Sequence, residues 1–525
     1  MTRGAPRPPA VAALVAALVL AAACGGPAPA PAGPPVRWYL PTDPRTLDSA
    51  RATETSSFVI AGMLGDPLLD VDARLEFVPR VAESWDWSDD HRVLTFHLRD
   101  GVRWHDGRPV TAADVVHTWK VLSDPARSSP DRSAAFNLVE SVEAPDPRTA
   151  RVVYSRPFAP ALVAWAQPLL PAHVADRAAH PVGCGPWTFE RWDRGERVLL
   201  RANADYWDGP PAAPAFDFEI LGDYATRLAA LESGSLDGAP LMPDQWERVR
   251  DDAAFAGRFT TLEYEMLFFW YIAWNGDGSN AFFADPRVRR AMTLAIDRQA
   301  YVERVTRGAA RVAVTSFHPG HWCYDPDLAP WPYDPARARE LLAQAGWSDR
   351  DGDGVVERDG RPFRFELLFS QPPADNARAA AFVQDSLGRV GIAVVLRAAE
   401  WAVFQDRARD RDFQALMSGR YLGVDPDPYE LWHSSQAAPG GANYAGLRDP
   451  ELDGWIERAR ETFDRGERLR LYRLVQARLH ELQPDTFFFY PVSRLAVSRQ
   501  LTGVRPSPLG AILFWPGTRT WRREP

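Results

Sequence analysis

Short stretches in which apolar and polar residues alternate predict several β-strands. Residues 37–40, Arg-Trp-Tyr-Leu, are predicted as a strand and are followed by a turn bounded by prolines. Val93–Leu98 alternates apolar and polar residues, which is typical of a strand with one buried face. Arg197–Ala202 is also predicted as a strand. Residues 391–396 follow a helical segment and are predicted as a further strand.

Apolar residues at spacings of three and four predict helices between these strands. Thr111, with Asp114 three residues later, is a variant of the capping box and begins a helix that runs to Val121. Pro335–Gln344 has proline at its start and glycine just beyond its end. Other helices are predicted at residues 226–233, 286–307, 379–387 and 467–482. The chain is therefore a mixed α/β protein, and the absence of a repeat period argues against a solenoid.

The amino-terminal residues contain an apolar run that is too short to span a bilayer. Arg3 and Arg7 precede residues 11–23, which are Val, Ala and Leu only. A membrane-spanning helix needs about 20 apolar residues, whereas a signal peptide needs fewer. We therefore expect residues 1–23 to be a signal peptide and the protein to be exported.

A cysteine directly follows this run. Leu20, Ala21, Ala22 and Ala23 precede Cys24 and resemble a bacterial lipobox, so Cys24 is the expected lipidation site. Ala21 stands where Leu is usual, and an ordinary signal peptide with an incidental cysteine is the alternative. Residues 25–35 are Gly, Pro and Ala only, which cannot form a core. Residues 24–36 are thus expected to be the lipidated cysteine and its tether.

The composition favours a globular protein of more than one domain. The chain has 525 residues, 46% of them hydrophobic, and a formal net charge of −9. Its basic residues are dispersed, so nothing indicates a nucleic-acid-binding surface. The sequence has no GxxxxGK[ST], GxSxG or HExxH motif. We expect a binding protein, neither an ATPase nor a hydrolase, that needs no cofactor.

Two cysteines remain after Cys24, and they leave two alternatives open. Cys184 and Cys323 lie far apart in the sequence. In an oxidising compartment they form a disulfide or stay as two buried thiols.

Two clusters of metal-binding residue types are present, and neither predicts a metal site. They are His318, His321 and Cys323 in one cluster and Asp349, Asp351 and Asp353 in the other. The acidic cluster begins like an EF-hand loop, but its twelfth position is Gly360, not a bidentate Glu. The histidines are better explained as incidental members of a loop.

Several longer phrases recur in the same order as in a known family. They are FVPRVAESW at 77–85, LTFHLRDGVRWHDG at 94–107, VTAADV at 110–115, PVGCGPW at 181–187, NADYW at 203–207, LESGSLD at 231–237, DPRVRRA at 285–291, AIDR at 295–298 and YDP at 333–335. The match to the family extends in order over roughly residues 37 to 515. The sequence resembles the bacterial extracellular solute-binding proteins of family 5, which collect peptides, nickel complexes, opines and similar solutes.

This resemblance implies an α/β clamshell of the periplasmic-binding-protein type (type II), with two lobes and a subdomain inserted in the first lobe. The expected parts are residues 37–75 (lobe I, first part), 76–179 (inserted subdomain), 180–273 (lobe I, second part), 274–486 (lobe II) and 487–525 (lobe I, carboxyl-terminal part). The solute binds between the lobes and favours their closure.

The resemblance also implies a function and partners. The protein is expected to be the substrate-binding protein of an ABC importer, working as a monomer with permease and ATPase subunits. An oligopeptide or peptide-like compound is the expected solute. The alternative is a clamshell receptor that presents a non-peptide solute to a membrane sensor.

The family's pocket positions give a set of candidate ligand-binding residues. They are Asp43, Trp401, Arg420, Tyr421, Leu422, Gly423, Asp425 and Asn443. Peptide-binding members place an aspartate four residues before the final proline of the late segment, and this chain has Val424 there. Asp425, one residue later, is the expected substitute, because a buried ammonium group needs a carboxylate partner.

Overall fold

The computed structural model describes residues 33–280, 282–371 and 374–524. The predicted signal peptide, Cys24 and all but the end of the predicted tether lie outside these ranges. In the described part of the chain, no helix combines the length and apolar character needed to cross a bilayer.

A four-stranded sheet forms the centre of the first lobe. Its strands, in spatial order, are Val36–Leu40, Ala215–Ile220, Arg197–Ala202 and Trp187–Asp193. The first two strands are parallel, and the other pairings are antiparallel. Val36, Trp38 and Leu40 are buried, and the residues between them are partly exposed. The structure therefore confirms the strand that the sequence predicts at residues 37–40.

A second four-stranded sheet has a core of its own. Its strands, in spatial order, are Ala82–Trp87, Val93–Leu98, Thr149–Tyr154 and Val139–Asp146, all antiparallel. The helix Ala112–Leu122 packs across this sheet. Phe96, Trp104 and Trp165 are among the buried residues of this cluster. This sheet lies, in sequence, between two strands of the first sheet.

An eight-stranded sheet forms the centre of the second lobe. Its main path runs Gly238–Pro240, Asp485–Ser498, Phe268–Trp274, Ala415–Tyr421, Arg364–Ser370 and Ala393–Ala399, with Phe259–Glu265 and Ala310–Val312 also paired to Asp485–Ser498. Two large buried clusters, centred on Trp274 and on Tyr472, cover its faces.

One long strand of this sheet joins the two lobes. The amino-terminal part of Asp485–Ser498 pairs with Phe268–Trp274, and its carboxyl-terminal part pairs with Phe259–Glu265. Leu495 and Val497 belong to the core of the first lobe. The lobe boundaries expected near residues 273–274 and 486–487 fall on these crossing strands and stay a prediction.

Fifteen α-helices, three 3₁₀ helices and three two-stranded ribbons complete the described part. The α-helices are Thr55–Leu64, Ala112–Leu122, Pro130–Ala134, Leu162–Trp165, Tyr224–Ser233, Pro243–Val249, Ala253–Arg258, Pro286–Ala295, Arg298–Arg304, Pro335–Gln344, Ala374–Gly388, Trp401–Arg409, Tyr429–Trp432, Pro450–Glu461 and Arg465–Leu482. The 3₁₀ helices are Ala159–Ala161, Ser434–Ala437 and Gly517–Thr520. The ribbons pair Leu69–Val71 with Phe77–Pro79, Glu357–Arg358 with Arg361–Pro362, and Leu501–Thr502 with Arg522–Arg523.

One predicted helix is wrong in extent. The sequence predicts a helix over residues 286–307, but the structure has Pro286–Ala295 and Arg298–Arg304. Ile296 is extended, and the Asp297 carboxylate accepts a hydrogen bond from the Ala300 amide at 2.9 Å. Asp297 therefore caps a new helix, because an aspartate at this position satisfies amides that have no partner within the helix.

Candidate functional site

Four tyrosines from both lobes lie near one another where the lobes meet. Tyr39 lies in the first strand and Tyr224 begins a helix of the first lobe, whereas Tyr264 lies on a crossing strand and Tyr421 ends a strand of the second lobe. Burial, and then the neighbouring Tyr264, Tyr224 and Tyr421, raise the pKa of Tyr39, while Arg227 opposes the rise. The four side chains therefore lie close enough to influence one another electrostatically.

Tyr421 is the most exposed of these aromatic residues. Its ring meets the edge of Phe268 at 4.7 Å between centroids, yet 69% of the residue's surface is open to solvent. Partial desolvation of the hydroxyl, and then the nearby Tyr224, raise the pKa of Tyr421. An exposed aromatic face beside a cleft suits contact with the apolar parts of a solute.

Arg227 supplies a positive charge at this wall of the first lobe. Its guanidinium carbon lies 4.5 Å from the Tyr39 ring and 4.6 Å from the Tyr224 ring. Nε and Nη2 donate hydrogen bonds to the carbonyls of Leu221 and Gly222. Stacking between two rings and binding to carbonyls hold the guanidinium in one place.

The predicted site residues Asp43 and Trp401 lie at the surface of different lobes. Asp43 follows the first strand and accepts a hydrogen bond from Trp192 Nε1 at 2.8 Å. Trp401 begins the helix Trp401–Arg409 and stacks on Phe404 of the same helix, with 53% of its surface exposed. Asp43 leaves polar surface and Trp401 leaves aromatic surface accessible to solvent. The contact of either residue with a solute stays a prediction.

Contacts with neighbouring residues hold the segment from Arg420 to Gly423 in place. Arg420 forms an ion pair with Glu430 at 2.9 Å. The Leu422 amide donates to the Leu267 carbonyl, and the Gly423 carbonyl is 2.8 Å from His321 Nε2. These contacts fix the backbone after Tyr421, so the tyrosine is presented from a rigid segment.

Asp425 is buried and already paired. Both carboxylate oxygens accept hydrogen bonds from Arg468 Nη2, at 2.9 and 3.0 Å. Burial raises the pKa of Asp425, although Arg468 beside it opposes the rise. An incoming ammonium group would have to compete with Arg468 for this carboxylate. The predicted ligand contact of Asp425 stays a prediction, and the observed contacts support the packing of the second lobe.

Asn443 uses its polar atoms within its own loop. Nδ2 donates to the carbonyls of Trp432, His433 and Leu447, and Oδ1 accepts from the Leu447 amide. Asn443 is fully buried. Its role as a ligand-binding residue stays a prediction, and the structure gives it a part in holding the loop.

Tyr39, Tyr224, Tyr264 and Arg227 are not among the site residues predicted from the sequence. Tyr39 is predicted only as part of a strand, and the other three lie in ordinary amphipathic segments. They meet because strands and helices far apart in the sequence end at the same cleft. No local motif marks them, so only the assembled fold could have found them.

Direct contacts join the inserted subdomain to the second lobe, and we call this group the clasp. The clasp consists of Trp87, His91, Arg156 and Phe158 of the insertion and Arg460, Glu461 and Phe463 of the second lobe. Phe463 stacks on His91 at 4.0 Å and meets Trp87 at 4.9 Å. Arg156 pairs with Glu461 at 3.1 Å.

A small apolar cluster joins the lobes next to the clasp. Leu422 and Val424 pack against Val71, Leu75 and Leu267. Val424, which replaces the aspartate expected from peptide-binding relatives, therefore helps to close the lobes against each other. Apolar contact of this kind favours closure by removing surface from water.

Members of both metal-type clusters form hydrogen bonds with nearby backbone atoms. Asp349, Asp351 and Asp353 are exposed and lie within 4.8 Å of one another, but their carboxylates accept hydrogen bonds from backbone amides of the same loop. His318 accepts a hydrogen bond from the Gly320 amide. The two cysteines, Cys184 and Cys323, are both free and buried, in the cores of different lobes.

Comparison with known proteins places this architecture in one family. The model of the bacterial extracellular solute-binding proteins, family 5, matches residues 76–442. The oligopeptide-binding protein AppA of Bacillus subtilis is 30% identical over 492 residues, which is 89% of this chain and 88% of AppA.

Solved structures agree with the sequence match. AppA of Bacillus subtilis in complex with a nonapeptide has a TM-score of 0.78 and 27% identity, covering 94% of this chain and 100% of AppA. NikA of Brucella suis in complex with Fe(III)-EDTA has a TM-score of 0.84 and 25% identity, with the same coverage. The two-lobed α/β clamshell expected from the sequence is confirmed. This chain belongs to the bacterial extracellular solute-binding proteins of family 5 and is a substrate-binding protein of an ABC transporter.

Proposed function

We propose that this protein captures oligopeptides or peptide-like compounds between its lobes and delivers them to an ABC permease. The observation that carries the proposal is the group of neighbouring tyrosines contributed by both lobes, with the Arg227 guanidinium stacked on two of them. Aromatic faces contact apolar side chains of any sequence, and hydroxyl groups bind peptide amides and carbonyls. The name and bound nonapeptide of the AppA relative support the same solute class.

The proposal includes where and how the protein works. Residues 1–23 direct export, and a lipid on Cys24 holds the protein as a monomer at the outer face of the cell membrane or in the periplasm. The solute leaves chemically unchanged, because capture needs neither a cofactor nor a catalytic group. Transport energy comes from the ATPase subunits of the importer.

Mass spectrometry of solute released from the purified, denatured protein tests the solute class. We expect intact oligopeptides, which calorimetry should then show to bind again. The Tyr421→Ala and Tyr224→Ala variants should each bind about fivefold or more weakly, because each loses an aromatic contact worth about 1 kcal/mol or more. Val403→Ala, a change at an exposed residue outside the tyrosine set, is the matched control and should bind normally.

Three results would contradict the proposal. A non-peptide solute would exclude the oligopeptide assignment. Normal affinity in both tyrosine variants would exclude the tyrosine group as the site. Hydrolysed peptide fragments formed by the pure protein would exclude a purely binding role.

A further inference from the structure

A tight turn follows the strand Val93–Leu98 and contains an aspartate that precedes a glycine. Asp100 and Gly101 are both exposed, and Gly101 has a φ of 78°, in the left-handed region that glycine adopts easily. The Gly101 amide donates a hydrogen bond to Oδ1 of Asp100 at 2.9 Å. The turn therefore holds the side chain of Asp100 against the peptide bond that follows it.

This contact distinguishes Asp100 from the other aspartates that precede a glycine. The sequence has nine such pairs, at residues 100–101, 106–107, 208–209, 237–238, 277–278, 351–352, 353–354, 359–360 and 453–454. All nine lie within the ranges that the structure describes. In these ranges, only Asp100 accepts a hydrogen bond from the amide of the glycine that follows it.

Asp106 and Gly107 provide the nearest comparison, because they form a second exposed turn a few residues later. The Gly107 amide donates to the Trp104 carbonyl at 2.8 Å. The Asp106 carboxylate accepts a hydrogen bond from the Arg108 amide and lies 2.7 Å from His173 Nε2. In this second turn the carboxylate and the amide thus have other partners.

The geometry at Asp100 suits a reaction between its two neighbouring groups. Because Oδ1 is bonded to Cγ, the Gly101 nitrogen also lies about 3–4 Å from that carbon, near the separation of reacting atoms in a near-attack conformer. The last torsion of an aspartate side chain is soft, so the carboxyl group can turn its face toward the nitrogen. Gly101 has no Cβ, and the space where a Cβ would lie is open.

We infer that Asp100 and Gly101 form a site of spontaneous isomerisation, which converts Asp100 into isoaspartate. With the carboxyl group protonated, the Gly101 nitrogen bonds to Cγ of Asp100. The amide hydrogen and the carboxyl hydroxyl leave as water, and a succinimide ring remains. A second water molecule then opens the ring: attack at one carbonyl restores aspartate, and attack at the other leaves the main chain running through Cγ. Nothing is oxidised or reduced, and the inference does not depend on which solute the protein binds.

The modification alters a turn that is tied to the start of the inserted subdomain. Isoaspartate adds one carbon atom to the main chain of this turn. Directly before it, the Arg99 amide donates to the Val81 carbonyl at 2.8 Å, and Arg99 Nε donates to the Arg80 carbonyl at 2.8 Å. The longer main chain therefore disturbs the turn beside these two contacts.

Mass spectrometry after incubation in ¹⁸O-labelled water tests the inference. The full-length protein is kept in warm, mildly acidic buffer and digested in ordinary water. Its peptides are then sequenced by electron-transfer dissociation, which distinguishes isoaspartate from aspartate. Each passage through the ring adds one ¹⁸O atom to residue 100. We expect label and isoaspartate to accumulate at Asp100 about tenfold or more faster than at Asp106, because the turn holds the reacting groups together only at Asp100.

Two variants and a denaturant provide the controls. Asp100→Glu keeps the charge, but its longer side chain must close a six-membered ring, which forms much more slowly, so labelling at residue 100 should be lost. Asp106→Glu is the matched control and should leave labelling at Asp100 unchanged. In concentrated urea the turn is lost, and the rates at Asp100 and Asp106 should agree within about twofold.

Three results would overturn the inference. The first is a folded protein that labels Asp100 no faster than Asp106. The second is a lead of Asp100 that persists unchanged in urea, because the local sequence and not the turn would then direct the reaction. The third is label at residue 100 without isoaspartate, which would show direct exchange of the carboxyl oxygens without a ring.

Discussion

At the scale of single residues, charge pairing inside the second lobe decides which acids can meet a solute. Asp425 lies in the segment that the sequence marks as part of the pocket, but Arg468, 43 residues later, occupies its carboxylate. The sequence can mark this segment because its pattern is local, and its part in the pocket stays a prediction. It could not identify the pairing, because that depends on how a later helix packs against it.

Asp425→Asn should therefore reduce stability more than affinity. The change leaves the buried Arg468 without its counter-charge, and breaking a buried pair costs about 3–5 kcal/mol. Urea unfolding of the second lobe measures the loss, with Asp385→Asn as an exposed control expected to change stability by less than about 1 kcal/mol. Unchanged unfolding together with lost solute binding would instead make Asp425 a direct ligand.

The raised pKa of Asp427 predicts how the free energy of unfolding depends on pH. The sign is opposite to that for an acid whose pKa is lowered by folding. The pKa of Asp427 is about 6 in the folded protein, against an ordinary value of 3.8. Between these two values the folded state binds more protons than the unfolded state, so this residue's contribution to stability grows as the pH falls. Relative to Asp427→Asn, the wild-type protein should gain on the order of 2 kcal/mol between pH 7 and pH 4. If the difference in urea-unfolding free energy between the wild-type protein and Asp427→Asn is the same at pH 7 and pH 4, this prediction is wrong.

At the scale of elements, helix ends determine close contacts that periodicity does not show. The end of the helix Thr55–Leu64 packs against Gly183 and Gly185: the Leu64 carbonyl accepts a hydrogen bond from the Gly185 amide at 2.9 Å. Helices and strands with clear periodicity could be predicted to within a few residues. The break at Ile296 and the contact between Leu64 and Gly185 could not, because they depend on single residues and on tertiary neighbours.

Gly183→Ala should destabilise the first lobe. A Cβ at this position would lie 1.9 Å from the Leu64 carbonyl oxygen, which is backbone and cannot rotate away. We expect a loss of about 2 kcal/mol or more in thermal or urea unfolding, as for other overpacked sites. Gly257→Ala is the matched control, because a Cβ there meets nothing within 4 Å. A stable Gly183→Ala protein would mean that the helix end shifts freely.

At the scale of the whole molecule, contacts between the lobes decide how readily the cleft closes. The two-lobed fold could be predicted from the family phrases, since the match that they mark extends in order over most of the chain. The clasp could not, because Phe463 and His91 lie in different lobes and nothing in either segment identifies the other. Its ring contacts add about 0.5–1.5 kcal/mol each to the closed form.

Phe463→Ala should therefore favour the open form without unfolding either lobe. We expect solute affinity to fall about tenfold, since closure then costs roughly 1–2 kcal/mol more. Calorimetry measures the affinity, and small-angle X-ray scattering of the solute-free protein should give a larger radius of gyration. Val403→Ala should change neither. Equal scattering and affinity in wild-type and Phe463→Ala proteins would show that the clasp does not contribute to closure.

The long strand Asp485–Ser498 is hydrogen-bonded in both lobes, and this limits the kind of motion available. A continuous β-ribbon bends and twists far more easily than it stretches, so we expect the lobes to rotate about this strand as a hinge. Side chains close to the strand, such as Tyr264, move little during each opening. Phe463 contacts the inserted subdomain from the second lobe, so these rings separate when the lobes rotate apart, and a fluorophore pair spanning the clasp would report each opening as a change in distance.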